Sequence, residues 1–530
     1  MLFLLTFIIL LLSAPSKILS LQSTHLLPFQ QHGFVKSKSN NQLQMSHRDS
    51  ETNPSEGTGI YIHIPYCRRR CSYCDFAIVP IGNQSKSEKW LSGFQKMDES
   101  YRKAITSEID LLNQSLKGEP TCLSSIYLGG GTPSLAPLDT IQEIFDHIFS
   151  QDGSFYLHDE AEVTIEMDPG TFTKEHLLSL KQIGINRISL GVQSFDDSIL
   201  EGIGRVHRNK DIVEALKHIQ DVFGDTGANY SMDLISGLPG LTLDRWEETL
   251  KSALALKPAP NHLSIYDLQI EEGTTFGKWY ADYDQDEEAD ADADNSRFES
   301  TKDMTKADLA LGTNHLPLPF AADCADMYKR GSEFMREMGF EHYEISSYAR
   351  IKDFKNSGLD NKPSLESHRS KHNQIYWKVQ STWFAVGLSA TSSVNGKRFA
   401  RPRTMADYIQ WVESQHQNGL EGNKSPEFDW MPAQGTINQE DKDDIILDTI
   451  MTRLRTIEGL DLNWIASKDN GNELLECVMR GSELGLELGL AEIVPGHLAN
   501  SVDRGFLRLT DPQGFLFSNN VISSIFAELP

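Results

Sequence analysis

The sequence predicts an α/β protein: a partial (β/α)6 TIM-like barrel followed by a small C-terminal α+β domain that resembles a winged helix. Three observations lead to this prediction. From Gly59 onward, short aliphatic or β-branched runs alternate with longer helical patterns, as in parallel strands joined by crossover helices. Six such units precede residue 280, and polar or glycine residues follow the runs. Beyond Glu440 the order changes to helices followed by short strands.

The six predicted barrel strands are Ile60 to Ile64, Ser125 to Leu128, Glu162 to Met167, Arg187 to Val192, Tyr230 to Ile235 and His262 to Leu268. The predicted helices among them are Ser100 to Leu116, Thr140 to Phe149, Lys174 to Ile183, Lys210 to Phe223 and Leu243 to Leu256. Ile105, Ile109 and Leu112 have the spacing of a buried helix face. These runs therefore support alternating strands and helices.

Functional residues of parallel barrels follow the carboxyl ends of the strands. In this sequence three cysteines follow the first strand and the run Gly129 to Thr132 follows the second. Glu166, Gln193, Asp233 and Gln269 lie in or just after the other four strands. Such a set predicts one shared pocket.

Composition divides the chain into five predicted segments. They are a targeting leader (1–55), the barrel (56–280), an acidic insertion (281–320), an extension of the barrel (321–435) and the C-terminal domain (436–530). Asp282 to Asp308 is rich in Asp and Ala, and Lys352 to Ser370 is a second polar insertion, so both are expected to be surface loops.

The C-terminal domain carries its own element pattern. Helices are expected at Ile445 to Leu454 and Glu473 to Leu488, and strands around Ala491 to Val494, Phe506 to Leu509 and Gly514 to Phe517. DNA binding is not expected of this winged-helix order, because the wing holds little basic charge beyond Arg504 and Arg508. An interaction or packing role is expected instead.

Charge and cysteine content exclude two classes of protein. The 530 residues include 49 basic and 75 acidic side chains, a net charge of −26, which argues against nucleic acid as the main partner. Six cysteines in a chain of this length cannot form a disulfide framework, so a reducing compartment is expected.

The N-terminus has the composition of a targeting leader. Leu2 to Leu12 is apolar apart from Thr6, long enough for a signal-peptide core but shorter than the about 20 residues of a spanning helix. Ser16 to Arg48 then lacks Asp and Glu, as transit peptides do. The combination resembles the two-part leader of complex-plastid proteins, with a mitochondrial leader as the second interpretation. An inert tail on a cytoplasmic protein is the third, and an integral membrane protein is not expected.

Three cysteines form the first chemical motif. Cys67, Cys71 and Cys74 have the spacing CxxxCxxC on a loop after a strand. Three thiolates can hold three irons of a 4Fe-4S cluster and leave the fourth iron open. Zinc is the alternative, but a closed zinc site needs a fourth ligand, and His63 is the only local candidate.

The ordered motifs resemble the radical S-adenosylmethionine (SAM) superfamily, in its coproporphyrinogen III oxidase-like, HemN-related branch. The similarity covers Gly59 to Val412 apart from the insertions. Its motifs are GIYIHIPYCRRRCSYCDF, GGGTPS at Gly129, EMDPG at Glu166, GINRISLGVQSFD at Gly184, GRVHR at Gly204, MDLISGLPG at Met232, HLSIYDLQIEEGT at His262 and YEISSYA at Tyr343.

This resemblance implies a partial radical SAM barrel with a HemN-like C-terminal domain, and a SAM molecule that chelates the open iron of the cluster. It also implies residue roles, with Tyr61 and Tyr73 flanking the cluster, Gly130, Gly131 and Thr132 at the methionine end of SAM, and Glu166, Gln193, Arg205 and Asp233 binding the rest. A carboxylate suits ribose hydroxyls, and an arginine can hold a carboxylate by two hydrogen bonds.

Arg68, Arg69 and Arg70 lie between the first two cysteines. Their charge is suited to raise the cluster potential or to dock a small acidic electron donor such as ferredoxin or flavodoxin. A solvated basic turn is the alternative interpretation.

Two features separate the classes within the branch. The coproporphyrinogen III oxidases of this branch carry a further cysteine two residues after the third, where this sequence has Phe76. They also have a folded N-terminal extension, where this sequence has the composition of a leader. His372, Asn373, Tyr376 and Trp377 form HNQIYW, which resembles the HNxxYW motif of HemW-type haem chaperones. The chain as a whole also resembles proteins like radical SAM domain-containing protein 1.

The resemblance thus implies a protein that binds a 4Fe-4S cluster, SAM and haem, and passes haem to client haemoproteins. A histidine can coordinate haem iron, and aromatic rings can stack on a macrocycle. The alternative is an oxygen-independent coproporphyrinogen III oxidase, which decarboxylates its substrate by radical chemistry. A third class, an interaction protein that has lost its cofactor, is disfavoured by the three retained cysteines.

Overall fold

A computed structural model describes residues 57–82, 87–116, 120–151, 153–224, 229–281, 315–352, 367–378, 381–394, 396–420, 439–496 and 503–530. The predicted leader, most of the acidic insertion and most of the second polar insertion lie outside these residues. The described chain forms an eleven-stranded sheet, a three-stranded sheet and a two-stranded sheet, with helices packed on them.

The barrel region supplies the centre of the large sheet. Its strands are β1 (Thr58–Ile64), β2 (Tyr66–Cys67), β3 (Val79–Pro80), β4 (Thr121–Gly130), β5 (Phe155–Met167), β6 (Arg187–Gln193), β7 (Asn229–Ser236) and β8 (His262–Asp267). Its helices are α1 (Glu88–Ser115), α2 (Leu138–Ile148), α3 (Lys174–Ile183), α4 (Asp197–Gly202), α5 (Asn209–Phe223), α6 (Leu243–Ala255) and α7 (Thr275–Trp279).

The six predicted barrel strands are confirmed. β1, β4, β5, β6, β7 and β8 pair in this order and every pair is parallel. Helix α1 begins at Glu88 rather than Ser100, because the Ser87 side chain accepts a hydrogen bond from the Trp90 N–H and caps the helix. Trp90 and Phe94 in these early turns pack against the core.

The inner surface of the barrel is lined by small polar side chains. Ser189, Ser231 and Ser264 are completely buried on β6, β7 and β8, and the outer-facing Ile188, Met232 and Leu263 join the hydrophobic core under the helices. Strands buried on both faces are expected where helices cover a parallel sheet. Small hydroxyl residues inside leave space in the barrel for a cavity.

The extension, which the sequence predicts only as a segment, adds strands to both edges of the sheet. It contains α8 (Ala321–Glu337), β9 (Phe340–Glu344), β10 (Ser347–Arg350), α9 (Lys371–Trp377), β11 (Trp383–Val386), β12 (Thr391–Val394), β13 (Lys397–Ala400) and α10 (Met405–Leu420). β10 pairs antiparallel with β8, whereas β11 pairs parallel with β1, where Gly59 lies opposite Trp383. The parallel part therefore has seven strands.

The C-terminal domain has a separate hydrophobic core. Its elements are α11 (Gln439–Arg453), β14 (Leu460–Asp461), α12 (Leu462–Ala466), α13 (Gly471–Glu487), β15 (Ala491–Val494), β16 (Phe506–Leu509), α14 (Gln513–Leu516) and α15 (Ser518–Glu528). The strand order β14-β16-β15 with helices before and between the strands resembles a winged helix.

The strand predicted at Gly514 to Phe517 is wrong. These residues lie in α14 and at its end, and β14 is the third strand instead. Pro512 precedes the helix, where a missing N–H costs nothing, and Phe515 is buried against His342 at 5.0 Å between ring centroids. Short apolar runs do not distinguish strand from buried helix by their periodicity.

A buried ion pair joins the first barrel helix to the extension. Arg401 Nε donates to Glu108 Oε1 at 2.7 Å, and each side chain is only 1% exposed. Glu108 Oε2 also accepts hydrogen bonds from the Gly387 N–H (2.8 Å) and the Tyr408 hydroxyl (2.6 Å). One carboxylate therefore holds α1, the end of β11 and α10 together.

We expect Glu108→Ala to lower the free energy of unfolding by about 3–5 kcal/mol, because it leaves the Arg401 guanidinium buried without its counter-charge. The matched control is Glu143→Ala, whose carboxylate is 44% exposed and pairs with Arg102 at 3.2 Å. An exposed pair contributes less than about 1 kcal/mol. Urea unfolding measures both, and equal losses in the two variants would contradict this role of Glu108.

Candidate functional site

A cavity of about 820 Å³ opens at the carboxyl ends of the barrel strands. Its volume lies within the range of small-molecule sites. Thirteen of the sixteen predicted site residues line it: Tyr61, Cys67, Cys71, Tyr73, Cys74, Gly130, Gly131, Thr132, Glu166, Gln193, Arg205, Asp233 and Tyr376. His372, Asn373 and Trp377 are the three that do not.

The cysteine loop is fixed at both ends by backbone pairing. β2 pairs with β3, which brings Tyr66 opposite Val79 and closes the loop that carries the three cysteines. Within the loop, the Cys74 N–H donates to the Cys71 carbonyl at 3.2 Å, and the Ser72 N–H donates to the Ile203 carbonyl at 3.0 Å. All three cysteines are half-buried.

The three arginines of this loop bind backbone carbonyls. Arg68 donates to Gly170 O, Arg69 donates to Gly204 O and Arg205 O, and Arg70 donates to Cys74 O and Phe76 O. These hydrogen bonds connect the loop to the segments that follow β5 and α4. The arginines therefore hold the loop in place, a role that neither sequence interpretation included.

The sulfur atoms lie close to polar groups of neighbouring loops. Cys67 Sγ is 3.6 Å from Thr132 Oγ1, and the Arg205 guanidinium lies 3.9 Å from Cys71 Sγ. Burial raises the pKa of the Cys74 thiol to about 11 and raises the pKa of Cys67 further. A metal centre is the group that would offset this cost and hold the sulfurs as thiolates.

The donor set fits an iron–sulfur cluster better than zinc. In the described ranges, no three His, Cys, Asp or Glu side chains converge on a position for a single metal ion. His63, the candidate fourth zinc ligand, has Nδ1 2.8 Å from the Tyr61 hydroxyl and Nε2 2.9 Å from the Ala77 carbonyl oxygen. Three half-buried sulfurs on one loop are the protein ligands that a 4Fe-4S cluster with an open iron takes.

Neighbouring protein atoms leave no space for a side chain on the glycine run. A Cβ atom on Gly131 would lie 2.7 Å from the carbonyl carbon of Pro65 and the carbonyl oxygen of Tyr66. Gly130 has φ +110°, and its N–H donates to Glu166 Oε2 at 3.0 Å. Substitution here would separate the glycine loop from the cysteine loop.

Two carboxylates line the inner wall of the cavity. Glu166 accepts hydrogen bonds from the Tyr127 hydroxyl and from the Gly130 N–H, and burial raises its pKa to about 8. The Ser189 hydroxyl donates one bifurcated hydrogen bond to the two carboxylate oxygens of Asp233, 3.1 and 3.0 Å away, and burial raises the pKa of Asp233 to about 6. Both carboxylates are thus oriented by hydroxyl donors before any ligand binds.

Asp168 belongs to the same wall, although sequence reasoning did not select it. Its carboxylate accepts hydrogen bonds from the Arg205 guanidinium and from the Thr132 hydroxyl (3.2 Å). Arg205 also donates to the Gly191 carbonyl oxygen at 2.7 Å. Arg205 is therefore already engaged by a carboxylate of the chain. The motif EMDPG contained the signal, since Asp168 lies two residues after Glu166.

Gln193 lines the cavity in a conformation that is unusual for its residue type. Its φ is +65°, in the left-handed region, and the β6 to β7 register shifts between Gly191 and Gln193. Such a conformation costs about 1–3 kcal/mol and occurs mainly where function requires it.

The HNQIYW motif approaches the barrel from its opposite end. It forms α9, where the His372 N–H donates to Glu162 Oε1 at 2.9 Å and His372 Nδ1 lies 2.7 Å from Ser125 Oγ. Ser125 on β4 is the register partner of Glu162 on β5 and of Gly59 near the start of β1. The cysteine loop, in contrast, follows the end of β1. From this motif, Tyr376 alone lines the large cavity.

His372 is completely buried and engaged through both ring nitrogens. Its Nε2 lies 2.9 Å from the Tyr376 hydroxyl, and burial lowers its pKa well below the ordinary value. His262 has the same surroundings, with Nδ1 2.8 Å from Ser231 Oγ and Nε2 2.9 Å from the Tyr343 hydroxyl. The geometry of His372 therefore also occurs at a histidine outside the motif.

Trp377 faces a second, smaller cavity of about 410 Å³ between α9 and the C-terminal domain. Trp464 and Phe506 of that domain also line it. The two adjacent aromatic residues of the motif thus border different cavities.

Comparisons with known proteins identify the family. Residues 61–253 match the radical SAM superfamily. The "Heme chaperone HemW" of Synechocystis sp. (strain ATCC 27184 / PCC 6803 / Kazusa) is 33% identical over 479 residues, which are 89% of this chain and 97% of that protein. The chain belongs to the HemW family of radical SAM proteins. Membership implies a 4Fe-4S cluster and SAM.

Two further similarities place the HemW-family chain among its relatives. The "Radical S-adenosyl methionine domain-containing protein 1, mitochondrial" of Bos taurus is 29% identical over 338 residues, 63% of this chain and 60% of that protein. A solved structure of coproporphyrinogen III oxidase (HemN) from Escherichia coli matches with a TM-score of 0.60 and 20% identity, over 90% of this chain and 92% of that one. The latter shows a shared fold.

The described helices of this HemW-family chain include none that is both long and apolar enough to cross a membrane. The apolar run Leu2 to Leu12 lies outside the described residues.

We expect the free energy of unfolding of the chain without its cluster to decrease as pH rises from 5 to 8. The decrease should be smaller in Glu166→Gln than in the natural sequence. The pKa of Glu166 is raised from 4.5 to about 8, so in this window the folded chain keeps a proton that the unfolded chain releases. Stability then decreases as pH rises. Because the carboxyl faces the cavity, where solvent screens it, the difference is on the order of 2 kcal/mol.

Urea unfolding at several pH values measures this effect. The comparison at pH 5, the acid end of the window, is the reference, because titration of Glu166 contributes least there. Parallel pH profiles for the two proteins would contradict the prediction.

Proposed function

We propose that this chain is a haem chaperone, which binds a 4Fe-4S cluster, SAM and haem and delivers haem to client haemoproteins. The observation that carries the proposal is the similarity to a heme chaperone HemW over 89% of the chain and 97% of that relative. The HNQIYW motif, with Tyr376 on the wall of the large cavity, supports it.

Cys67, Cys71 and Cys74 would hold the cluster. When bound, the cluster with SAM supplies a redox centre beside the cavity. The chain's own groups on the wall suit the rest of a SAM molecule. Glu166 and Asp233 are oriented carboxyl groups for hydroxyl groups, and Gln193 adds an amide. Asp168 and Arg205 form an ion pair next to Cys71, which keeps the guanidinium beside the sulfur.

The side of the cavity near Tyr376 suits a flat apolar ligand. Tyr376 and Trp383 lie edge to face, with ring centroids 4.9 Å apart and an interplanar angle of 87°. Aromatic walls of this kind bind macrocycles through large contact area. For His372 to coordinate iron, one of its two ring hydrogen bonds has to break, so we propose that the motif rearranges when haem binds.

A coproporphyrinogen III oxidase is the second candidate function, because the chain shares the HemN fold over nearly its whole length. Phe76, 38% exposed and on the cavity wall, occupies the position of the further cysteine of the oxidases. A phenylalanine there supplies neither a thiol nor a proton, and this favours the chaperone.

We propose client haemoproteins and a small acidic electron donor as partners, and no nucleic acid, given the net charge of −26. We also propose import into an organelle, the plastid first and the mitochondrion second, from the composition of residues 1–55. The naming of the bovine relative as mitochondrial supports an organelle.

We expect haem to bind saturably to the chain after anaerobic reconstitution with iron and sulfide, with an affinity reduced at least tenfold in His372→Ala. Absorbance titration with haemin measures it. The control is His262→Ala, which removes an equally buried histidine with the same kind of Ser and Tyr contacts and is expected to retain haem binding. Tyr376→Phe tests the hydroxyl alone without removing a buried ring.

The same preparation should not convert coproporphyrinogen III to protoporphyrinogen with SAM and a reductant. Turnover with an intact cluster, combined with equal haem binding in all variants, would refute the chaperone function and support the oxidase function.

A fluorescent protein fused behind residues 1–60 should enter an organelle in cells that contain both plastids and mitochondria. A fusion of residues 13–60, without the apolar run, is the control and should lose the first step of import. Microscopy distinguishes plastid from mitochondrion, and a cytosolic signal from the longer fusion would show that the targeting proposal is wrong.

A further inference from the structure

The large cavity extends beyond the cluster side toward the extension and the C-terminal domain. There its wall includes Trp383, Trp411 and Met451, which are apolar, together with arginine side chains. A pocket with an aromatic wall and a cationic rim suits a flat ligand that ends in carboxylates. Such a ligand needs an arginine whose charge is not already balanced by the chain.

Most arginines of the cavity are engaged by the chain. Four face carboxylates: Arg205 with Asp168, Arg398 with Asp448 (2.6 and 2.8 Å), Arg401 with Glu108 (2.7 Å) and Arg403 with Asp75 (3.3 Å). Arg68 and Arg69, at the rim, donate to backbone carbonyls as described above. Their charges are thus balanced or directed to the cysteine loop.

Arg455 differs from all of these. It follows α11, is 4% exposed, and lines the cavity. Its terminal nitrogen donates to Asn519 Oδ1 at 2.6 Å, a neutral amide, while its Nε has no hydrogen-bond partner in the described part of the chain. Burial lowers its pKa to about 10, which leaves the group protonated at neutral pH.

A buried guanidinium without a counter-charge is costly, and a ligand carboxylate would offset that cost. We propose that Arg455 binds a carboxylate of the cavity's ligand, which is a haem propionate, so that this inference rests on the proposed function. The C-terminal domain then contributes directly to ligand recognition, through a residue at the end of its first helix.

The test compares haemin with haemin dimethyl ester, in which both carboxylates are esterified. Dissociation constants are measured by absorbance titration in one buffer for the full reconstituted chain, Arg455→Gln, Arg455→Lys and Asn519→Ala. Removing a charge-assisted hydrogen bond in a buried site should weaken haemin binding about 10- to 100-fold in Arg455→Gln. Arg455→Lys should recover part of the loss.

Binding of the ester should change less than threefold in Arg455→Gln, because the ester lacks the charge that the arginine recognises. Asn519→Ala removes the structural contact of Arg455 but keeps its charge, and should bind haemin within threefold of the natural chain. SAM binding should be unchanged in every variant.

Three results would overturn the assignment. In the first, Arg455→Gln leaves the affinity for haemin unchanged. In the second, Arg455→Gln weakens the binding of haemin and of the ester by the same factor, which indicates a structural role. In the third, only SAM binding weakens, which assigns the carboxylate to SAM. A natural chain that binds no haemin would instead refute the proposed function and this inference with it.

Discussion

The backbone pairing of β1 with β4, continued past the ends of both strands, is the constraint on which the site depends. The Gly131 N–H donates to the Ile64 carbonyl at 2.9 Å, and the Thr132 N–H donates to the Tyr66 carbonyl at 2.7 Å. These two bonds place the glycine loop directly against the start of the cysteine loop. Glu166 and Asp168 on β5 and after it then reach the glycine run and Thr132 by single hydrogen bonds.

Much of this organisation could be predicted from the sequence. Parallel strands bury both faces and read as aliphatic runs, so the six barrel strands and the residues at their ends were identifiable. The cavity then brings together Cys67, Glu166 and Asp233, which are far apart in sequence. The carboxyl ends of the strands converge in any parallel barrel. The strand pattern alone therefore sufficed to predict which residues line the cavity near the cysteines.

The features that could not be predicted depend on contacts between segments that are distant in the chain. β11 is four residues long and becomes the seventh parallel strand only through β1, and nothing local in Trp383 to Val386 specifies that partner. The Gly514 to Phe517 run could not be assigned because strand and buried helix share its apolar pattern. Sequence reasoning selected Arg205 for the site but not Asp168, whose carboxylate pairs with it.

The position of α9 separates the histidine of HNQIYW from the cysteine loop along the barrel. The three cysteines follow the end of β1, while the histidine of HNQIYW lies near the start of that strand, where Ser125 and Glu162 contact it. A rearrangement of the cysteine loop therefore need not break the hydrogen bonds that hold His372, and a change at α9 need not displace that loop, so the two motifs can move independently within one fold.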